Sequence, residues 1–194
     1  MAILQSLSSP RSVVPDDLPA LRELCDQCVG TGLYSESDLQ EMLARPDGVC
    51  MVQETEAGQL AGYCLGYLAS AAEAGDIIKQ PAASICAWAE VPVPVVGICK
   101  SLGVDPKYRG QGLALQLQGC CADEMLARGA DLLFGVAWRQ GAHIPVAHTL
   151  LTLGFTYLCD SQHVWYDAEE LDCPVCKQPR CICPAAIFMK RQER

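Results

Sequence analysis

The sequence has 194 residues with 14 basic and 23 acidic side chains, a formal net charge of −9, and 13 cysteines. Its length suits one domain over residues 1–194 with a substantial core, and its acidic balance excludes a nucleic-acid partner, because such partners are bound by clustered lysine and arginine. Its most apolar run, residues 91–99, is too short and too interrupted by proline to span a bilayer, which excludes a membrane protein.

The cysteines and the first residues bear on the cellular compartment. Thirteen cysteines fall below the share of about 8–10% that is typical of a disulfide scaffold, and most stand singly in apolar patterns, as expected of small buried hydrophobes in a reducing compartment. Residues 1–5 show no basic region before a short apolar stretch, so we expect a cytoplasmic protein. Residues 1–94 hold 13 acidic and 4 basic side chains, which either attract a cationic amine or are simply a solvated surface.

Two helices are predicted in the first quarter of the chain. An early proline, Asp17 and an apolar period of three to four residues indicate a first helix with an aspartate cap, which ends at Gly30. Ser35 followed by Asp38 is typical of a capping box, so a second helix begins there and stops before Pro46.

A hairpin and a long excursion come next. Residues 49–55 and 60–68 are strand-like runs joined by a short loop, in which Gly58 is placed to take a positive φ. Residues 69–94 are longer than a hairpin turn requires. They predict either an ordered excursion carrying Trp88 beside a substrate mouth or a mobile surface loop.

The stretch over residues 104–114 organises the chain. A strand rich in β-branched residues stops at Pro106, and an apolar period of three to four residues then predicts a helix from Leu113 to about Gly129. A helix that begins on glycines presents unpaired N–H groups, which suit a phosphate or pyrophosphate. Gly110 and Gly112 would let the backbone approach such a ligand, and Arg109 would add a cation. The P-loop and dinucleotide fingerprints do not fit.

The remaining elements are shorter. Residues 131–137 predict a buried strand, and residues 143–153 predict a helix that ends at Gly154. A further strand begins at Tyr157 and the last one spans residues 185–190, so residues 163–184 form a long connection.

That connection contains a cysteine-rich segment, residues 171–184, with four potential thiolate ligands spaced C-x2-C-x4-C-x-C. A tetrahedral zinc site of four sulfurs is geometrically reachable from this spacing. Zinc knuckles usually have glycine after the second cysteine, whereas Lys177 stands here. Free or redox-active thiols and an iron–sulfur cluster are the alternatives. The candidate ligands are Cys173, Cys176, Cys181 and Cys183.

The order of these motifs resembles the GNAT acetyltransferase superfamily. Residues 109–114, Arg-Gly-Gln-Gly-Leu-Ala, are similar to its acetyl-CoA-binding signature, they follow the matching Val104-x-Pro106, and Gly154-Phe155 is similar to the Leu-Gly-Phe that closes the family's next helix. The resemblance implies an α/β three-layer sandwich with a mixed, mostly antiparallel sheet flanked by helices. It also implies acetyl transfer from acetyl-CoA to a primary amine, small molecule or peptide, by direct attack in a ternary complex, and a possible homodimer.

The resemblance further implies where the cofactor lies. Its pantetheine arm would pair with the backbone of residues 102–104, its pyrophosphate would lie on residues 109–114, and His143 occupies the position of an asparagine that is common at the start of the next helix. The expected cofactor-binding residues are Leu102, Gly103, Val104, Arg109, Gly110, Gln111, Gly112, Leu113, Ala114 and His143.

Two departures from the family pattern bear on catalysis. Leu150 stands where the family's tyrosine acid is common, and Lys100 and Ile98 stand where a glutamate base is common. The acid and base are therefore unassigned. A chain of waters to bulk solvent or a carboxylate such as Glu90 would have to take the proton of the amine, and His148, Tyr157 and Tyr166 are each either a substitute or a packing or surface residue. The alternative function is a catalytically weak CoA-binding module that regulates or senses metal or redox state.

Overall fold

The computed structural model describes residues 7–192, which form a mixed seven-stranded sheet. The strands lie in the order β1-β2-β3-β4-β5-β7-β6, and all neighbouring pairs are antiparallel except the parallel pair of β4 and β5. The expectation drawn from residues 1–5 lies outside the described residues. The strands are β1 Arg11–Ser12, β2 Gly48–Glu54, β3 Leu60–Ser70, β4 Val95–Val104, β5 Leu132–Trp138, β6 Thr156–Ser161 and β7 Ala185–Arg191.

Helices cover both faces of the sheet. The helices are α1 Leu18–Val29, α2 Glu36–Ala44, α3 Ala71–Ile78, α4 Ala82–Ala89, α5 Leu113–Ala127 and α6 Ala147–Thr152. Side chains alternate across a strand, so Tyr63 and Leu65 of β3 pack with α1 and α2, whereas Cys64 packs with α5. Helices α3 and α4 lie on the face of α1 and α2, and α6 lies on the face of α5. The predicted three-layer sandwich is confirmed.

Local capping chemistry explains the helices before β2. Ser35 Oγ accepts from the Asp38 N–H at 3.1 Å and the Ser35 N–H donates to the Asp38 carboxylate at 2.8 Å, so the capping box is present. The prediction of an aspartate cap for α1 is wrong, because the Asp17 side chain makes no cap hydrogen bond to α1. Its carboxylate instead accepts from the Val14 N–H at 2.9 Å and from the Arg11 guanidinium at 2.7 and 2.9 Å.

Residues 69–94 are an ordered helix pair rather than a mobile loop. Helices α3 and α4 cover β4, β5 and β7 with Ile78 and Ile85, which are fully buried. The prediction for Trp88 is wrong: its indole packs edge-on against Phe134 at 6.1 Å between ring centroids. Trp88 is partly buried at the border of the apolar cluster beneath α3 and α4, where contact with Phe134 is more favourable than exposure at a cleft.

The helix expected from His143 begins later, at Ala147. Gln140 and His143 close a tight turn through backbone hydrogen bonds of 2.8 and 3.1 Å. Pro145 then disfavours helical geometry at the residue before it. The helix is therefore shorter than its apolar period suggested, although Gly154 follows its last turn with a φ of 82°.

None of the helices within residues 7–192 is both long enough and apolar enough to cross a bilayer.

Candidate active site

The site begins where two parallel strands part. Residues Val96–Cys99 of β4 pair with Leu132–Gly135 of β5, and the pairing ends there. Cys99 and Ser101 face consecutive residues of β3, so Lys100 between them is the extra residue of a β-bulge. The bulge bends β4 away from β5 and leaves a gap that opens on both sides of the sheet.

One mouth of the gap is a groove of about 720 Å³. The structure brings nine of the ten expected cofactor-binding residues into its walls, and Gln111 is the exception. His143 is among the nine although it lies in a turn and not in a helix. The nine residues are Leu102, Gly103, Val104, Arg109, Gly110, Gly112, Leu113, Ala114 and His143.

The start of α5 faces this groove with bare backbone. Gly110 and Gly112 have φ values of 75° and 84°, a region that side chains rarely adopt. A Cβ at Gly110 would have no atom within 4 Å, and one at Gly112 would meet only a side-chain nitrogen at 4.0 Å. The Arg109 guanidinium donates through Nε to the Val104 carbonyl at 3.0 Å, which holds this cation beside the helix start. The N–H groups of the first turn are therefore open to an anion.

Between the strands lies an inner cavity of about 130 Å³, which shares Cys28, Leu102 and Val146 with the groove. Leu150 lines it, so the position of the family's tyrosine carries an alkyl group that packs against Gly135. Gln118 also lines it, with a side chain only 2% exposed.

Gln118 is the feature that the sequence did not reveal. Its Oε1 accepts a hydrogen bond from the Cys64 thiol at 3.7 Å, whereas its Nε2 has no partner among residues 7–192. An unpaired buried donor is costly, at about 1–3 kcal/mol. A helical period identifies Gln118 only as a residue on α5, so no sequence signal marks it as facing a cavity.

Lys100 stands at the opposite end of the inner cavity. Lys100 is exposed, because its side chain opens into both cavities, and desolvation by the surrounding protein atoms lowers its pKa although the nearby Asp38 carboxylate opposes the shift. The Tyr34 ring lies 5.6 Å from its Nζ. Ile98, the other position compared with the family's glutamate, is buried on the α3 and α4 face.

The outer mouth, beyond Lys100, is a cavity of about 670 Å³ that shares Leu33 and Lys100 with the inner cavity. Five carboxylates line it against two cations, Lys100 and Arg45, and Arg45 is already paired with Asp47 and Glu73. We call this cavity the acidic mouth. Its carboxylates are Asp38, Glu41, Asp167, Glu169 and Glu170.

Three of the four suggested substitutes for a catalytic acid or base lie outside these walls. Glu90 pairs with Arg191, Tyr157 packs edge-on against Phe188, and Tyr166 contacts Arg180. His148 lines the cofactor groove and not the inner cavity.

The four cysteines of the connection between β6 and β7 come together beside the inner cavity. Their Sγ atoms all lie within 4.8 Å of one another. Burial raises the pKa of Cys181. Burial also opposes ionisation of Cys176, but the backbone N–H groups of Gln178 and Ile182 and the adjacent thiols outweigh it and lower its pKa to about 6.

Comparison with known proteins assigns this fold and cleft to a class of acetyltransferase enzymes. A comparison with family models matches residues 18–155 to the model described as the Acetyltransferase (GNAT) family. The match runs from the start of α1 to the residue after Gly154, and it includes the whole stretch over residues 104–114. The chain belongs to the GNAT family.

Solved structures agree with this assignment at low sequence identity. NAA60 of Arabidopsis thaliana, in complex with acetyl-CoA, is 14% identical with a TM-score of 0.69, over 96% of this chain and 98% of that one. The ribosomal-protein-S18-alanine N-acetyltransferase of Escherichia coli is 15% identical with a TM-score of 0.64, over 95% and 93%. The polyamine N-acetyltransferase of Drosophila melanogaster, which forms N-acetylagmatine, is 16% identical with a TM-score of 0.62, over 96% and 100%. These likenesses establish the fold. A comparison with curated proteins found no match.

Proposed function

We propose that this protein transfers an acetyl group from acetyl-CoA to a positively charged primary amine by direct attack within a ternary complex. The observation that carries the proposal is a continuous path through the molecule. The cofactor groove meets the inner cavity at Cys28 and Leu102, and the inner cavity meets the acidic mouth at Leu33 and Lys100. Two substrates can therefore approach one point from opposite sides.

The cofactor side of the path fits acetyl-CoA. The open N–H groups after Gly112 and the adjacent Arg109 suit its pyrophosphate, and the parted edge of β4 at residues 102–104 suits the amides of its pantetheine arm. The unpaired Gln118 Nε2 lies beyond this edge, where the thioester would arrive. We propose that it donates a hydrogen bond to the thioester carbonyl oxygen, which gains negative charge as the amine attacks.

The acceptor side favours a cation. Carboxylates outnumber cations at the acidic mouth even though Glu169 is paired with Arg180, so its field attracts a protonated amine and weakens as salt is added. Tyr34 and Tyr67 line the same cavity and offer aromatic surface to the acceptor's carbon chain. We therefore expect aliphatic amines that carry a second positive charge to be better acceptors than neutral amines of the same length.

The acceptor must lose a proton before it can attack, because a protonated amine has no free electron pair. Neutralising a lysine-like amine at pH 7 costs about 4.6 kcal/mol. We propose that the deprotonated form of Lys100 receives this proton, since desolvation lowers its pKa and it lines both acceptor cavities. Release of the CoA thiolate, with a pKa of about 8.5, costs only about 2 kcal/mol at pH 7, so the lack of a hydroxyl at Leu150 slows the reaction without stopping it.

A broad screen of amines, with thiol detection of the released CoA, tests this function. Diamines and guanidino amines should release CoA, and their advantage over neutral amines should shrink as salt is raised from low to high ionic strength. If Lys100 accepts the proton, kcat should rise with pH, and Lys100→Met should abolish this rise. The matched control is Lys79→Met, at an exposed lysine outside the three cavities, and it should keep the wild-type pH profile. Gln118→Leu should lower kcat about tenfold or more with a smaller loss of acetyl-CoA affinity.

The second candidate function is a CoA-binding regulatory module. Leu150 at the acid position and the absence of a carboxylate on the described part of β4 favour it. If acetyl-CoA binds but no amine releases CoA above the rate of hydrolysis in buffer, this second function replaces the first.

A further inference from the structure

The connection between β6 and β7 has little reason to be ordered by packing alone. Residues 162–184 contain no helix or strand, and the buried cluster beneath them consists of Leu171 and three cysteines, with Trp138 and Trp165 at its border. Such a small apolar cluster offsets little of the entropy lost in fixing more than twenty residues. The sulfur atoms at its centre therefore need a further explanation.

Their spacing matches a single metal ion. With metal–sulfur bonds of about 2.3 Å, a tetrahedral site puts its sulfurs about 3.8 Å apart. Cys173 Sγ lies 3.8 Å from Cys183 Sγ and 3.6 Å from Cys181 Sγ, and Cys176 completes a set within 4.8 Å. A cubane iron–sulfur cluster bonds its cysteines to four different irons, so it holds the sulfurs further apart than this.

The backbone around Cys173 and Cys176 supports the same conclusion. The Cys176 N–H donates to Cys173 Sγ at 3.3 Å, which directs a backbone dipole at a sulfur that would carry negative charge as a ligand. Lys177 follows with a φ of 54°, a conformation that suits glycine and strains a lysine. The chain therefore keeps the glycine conformation of a two-cysteine metal turn without the glycine.

We propose that Cys173, Cys176, Cys181 and Cys183 bind one zinc ion as four thiolates. Three of the sulfurs belong to buried residues and Cys176 is partly exposed, which gives the ion an entry route. All four coordination positions would be filled by protein, so the zinc is structural and leaves no position for substrate or water.

The zinc would hold one wall of the acceptor path. The Asp172 N–H donates to the Thr31 carbonyl at 2.8 Å, and a Cβ at Gly30 would lie 3.0 Å from Leu171 and Pro174. Leu171 and Trp165 also line the inner cavity. Resting on the proposed function, we infer that zinc keeps this connection against the loop after α1 and so shapes amine binding, while the start of α5 binds acetyl-CoA without it.

Elemental analysis of the full chain, purified under reducing conditions, tests the site without any activity measurement. We expect one zinc per chain, and below about a tenth of that in Cys173→Ser/Cys176→Ser. The matched control Cys86→Ser/Cys120→Ser changes two cysteines outside the cluster and should keep one zinc. Replacement of the zinc by Co²⁺ in the wild type should give the intense visible absorption of a tetrahedral cobalt thiolate site, a reading that does not depend on whether a variant folds.

The outcomes separate this site from the rest of the molecule. Iron in place of zinc, disulfides among the four cysteines, or a metal-free protein whose four thiols all react freely would each overturn the proposal. Zinc-free protein should still bind acetyl-CoA within about threefold of the wild type by calorimetry. A protein that holds zinc but does not bind acetyl-CoA would contradict the proposed function and leave the metal site intact.

Discussion

Gly112 offers the sharpest test of acetyl-CoA binding, because the same helix provides its own control. Gly112 precedes α5 with a φ of 84°, and Gly129 follows the helix with a φ of 92°. Neither position would crowd an added Cβ, since the nearest neighbours are one atom at 4.0 Å and none within 4 Å. Alanine at either site therefore introduces the same strain of a left-handed backbone, about 1–2 kcal/mol.

Stability and binding should respond differently to the two substitutions. Both variants should lower the melting temperature by about 2–8 °C, because that strain acts on a chain of nearly 200 residues. Only Gly112→Ala should weaken acetyl-CoA binding, since relief of its strain rotates the peptide groups that face the groove and its methyl occupies the approach to them. We expect a loss of about tenfold or more, equivalent to about 1.4 kcal/mol.

Calorimetric titration of both folded variants with acetyl-CoA, alongside thermal unfolding, is the measurement. Gly129→Ala should bind within about twofold of the wild type. Wild-type affinity in Gly112→Ala would refute the reasoning that the start of α5 is the pyrophosphate site. An equal loss of affinity in both variants would mean that the strain weakens binding through stability alone.

Three other substitutions test the acid position, the core and an ion pair. Leu150→Tyr should raise the rate of acetyl transfer or leave it unchanged, because it returns a hydroxyl to the inner cavity; loss of acetyl-CoA binding in this variant would contradict that placement. Gly66→Ala should lower the free energy of unfolding by about 1–3 kcal/mol, because the added methyl would lie 2.6 Å from the Ile98 carbonyl oxygen, which as backbone cannot move aside as the end of the Met125 side chain can. Urea denaturation with an unshifted midpoint would contradict this. The Arg11 guanidinium holds the pKa of the Asp17 carboxyl below its ordinary value. The ion pair therefore stabilises the fold at a pH above the ordinary pKa of aspartate, and this stabilisation is lost as the pH falls through the lower pKa of the folded state. Arg11→Ala should therefore be less stable than the wild type near neutral pH, with the difference shrinking in acid, and a constant difference would count against the ion pair.

Features set by a few neighbouring residues were predictable from the sequence. Ser35 and Asp38 meet because they are three residues apart on one helical turn, and Gly58 and Gly112 adopt the positive φ that their loops require. Half of the residues that line the groove lie within residues 102–114, the stretch that carries the resemblance to the family. Such local chemistry depends little on the rest of the fold.

Features assembled from distant segments were not predictable in this way. The acidic mouth joins Asp38 of α2 to Glu170, which lies far along the chain, and no pattern in either segment indicates their proximity. Trp88 was expected beside the substrate mouth, but the ring that it packs against, Phe134, belongs to a strand that follows it in the chain. The face and depth of a side chain depend on which elements pack against it, which a local period does not contain.

Helices α3 and α4 also restrict how copies of this chain can associate. They cover the sheet over Ile98, Phe134 and Ile187, so a second copy cannot stack its sheet on that part of the face. Strand-to-strand pairing between copies requires an edge, and β6 supplies six residues at one end of the sheet, against two in β1. Tyr157, with 48% of its surface exposed, lies on that edge strand. A homodimer that extends the sheet would therefore form through β6.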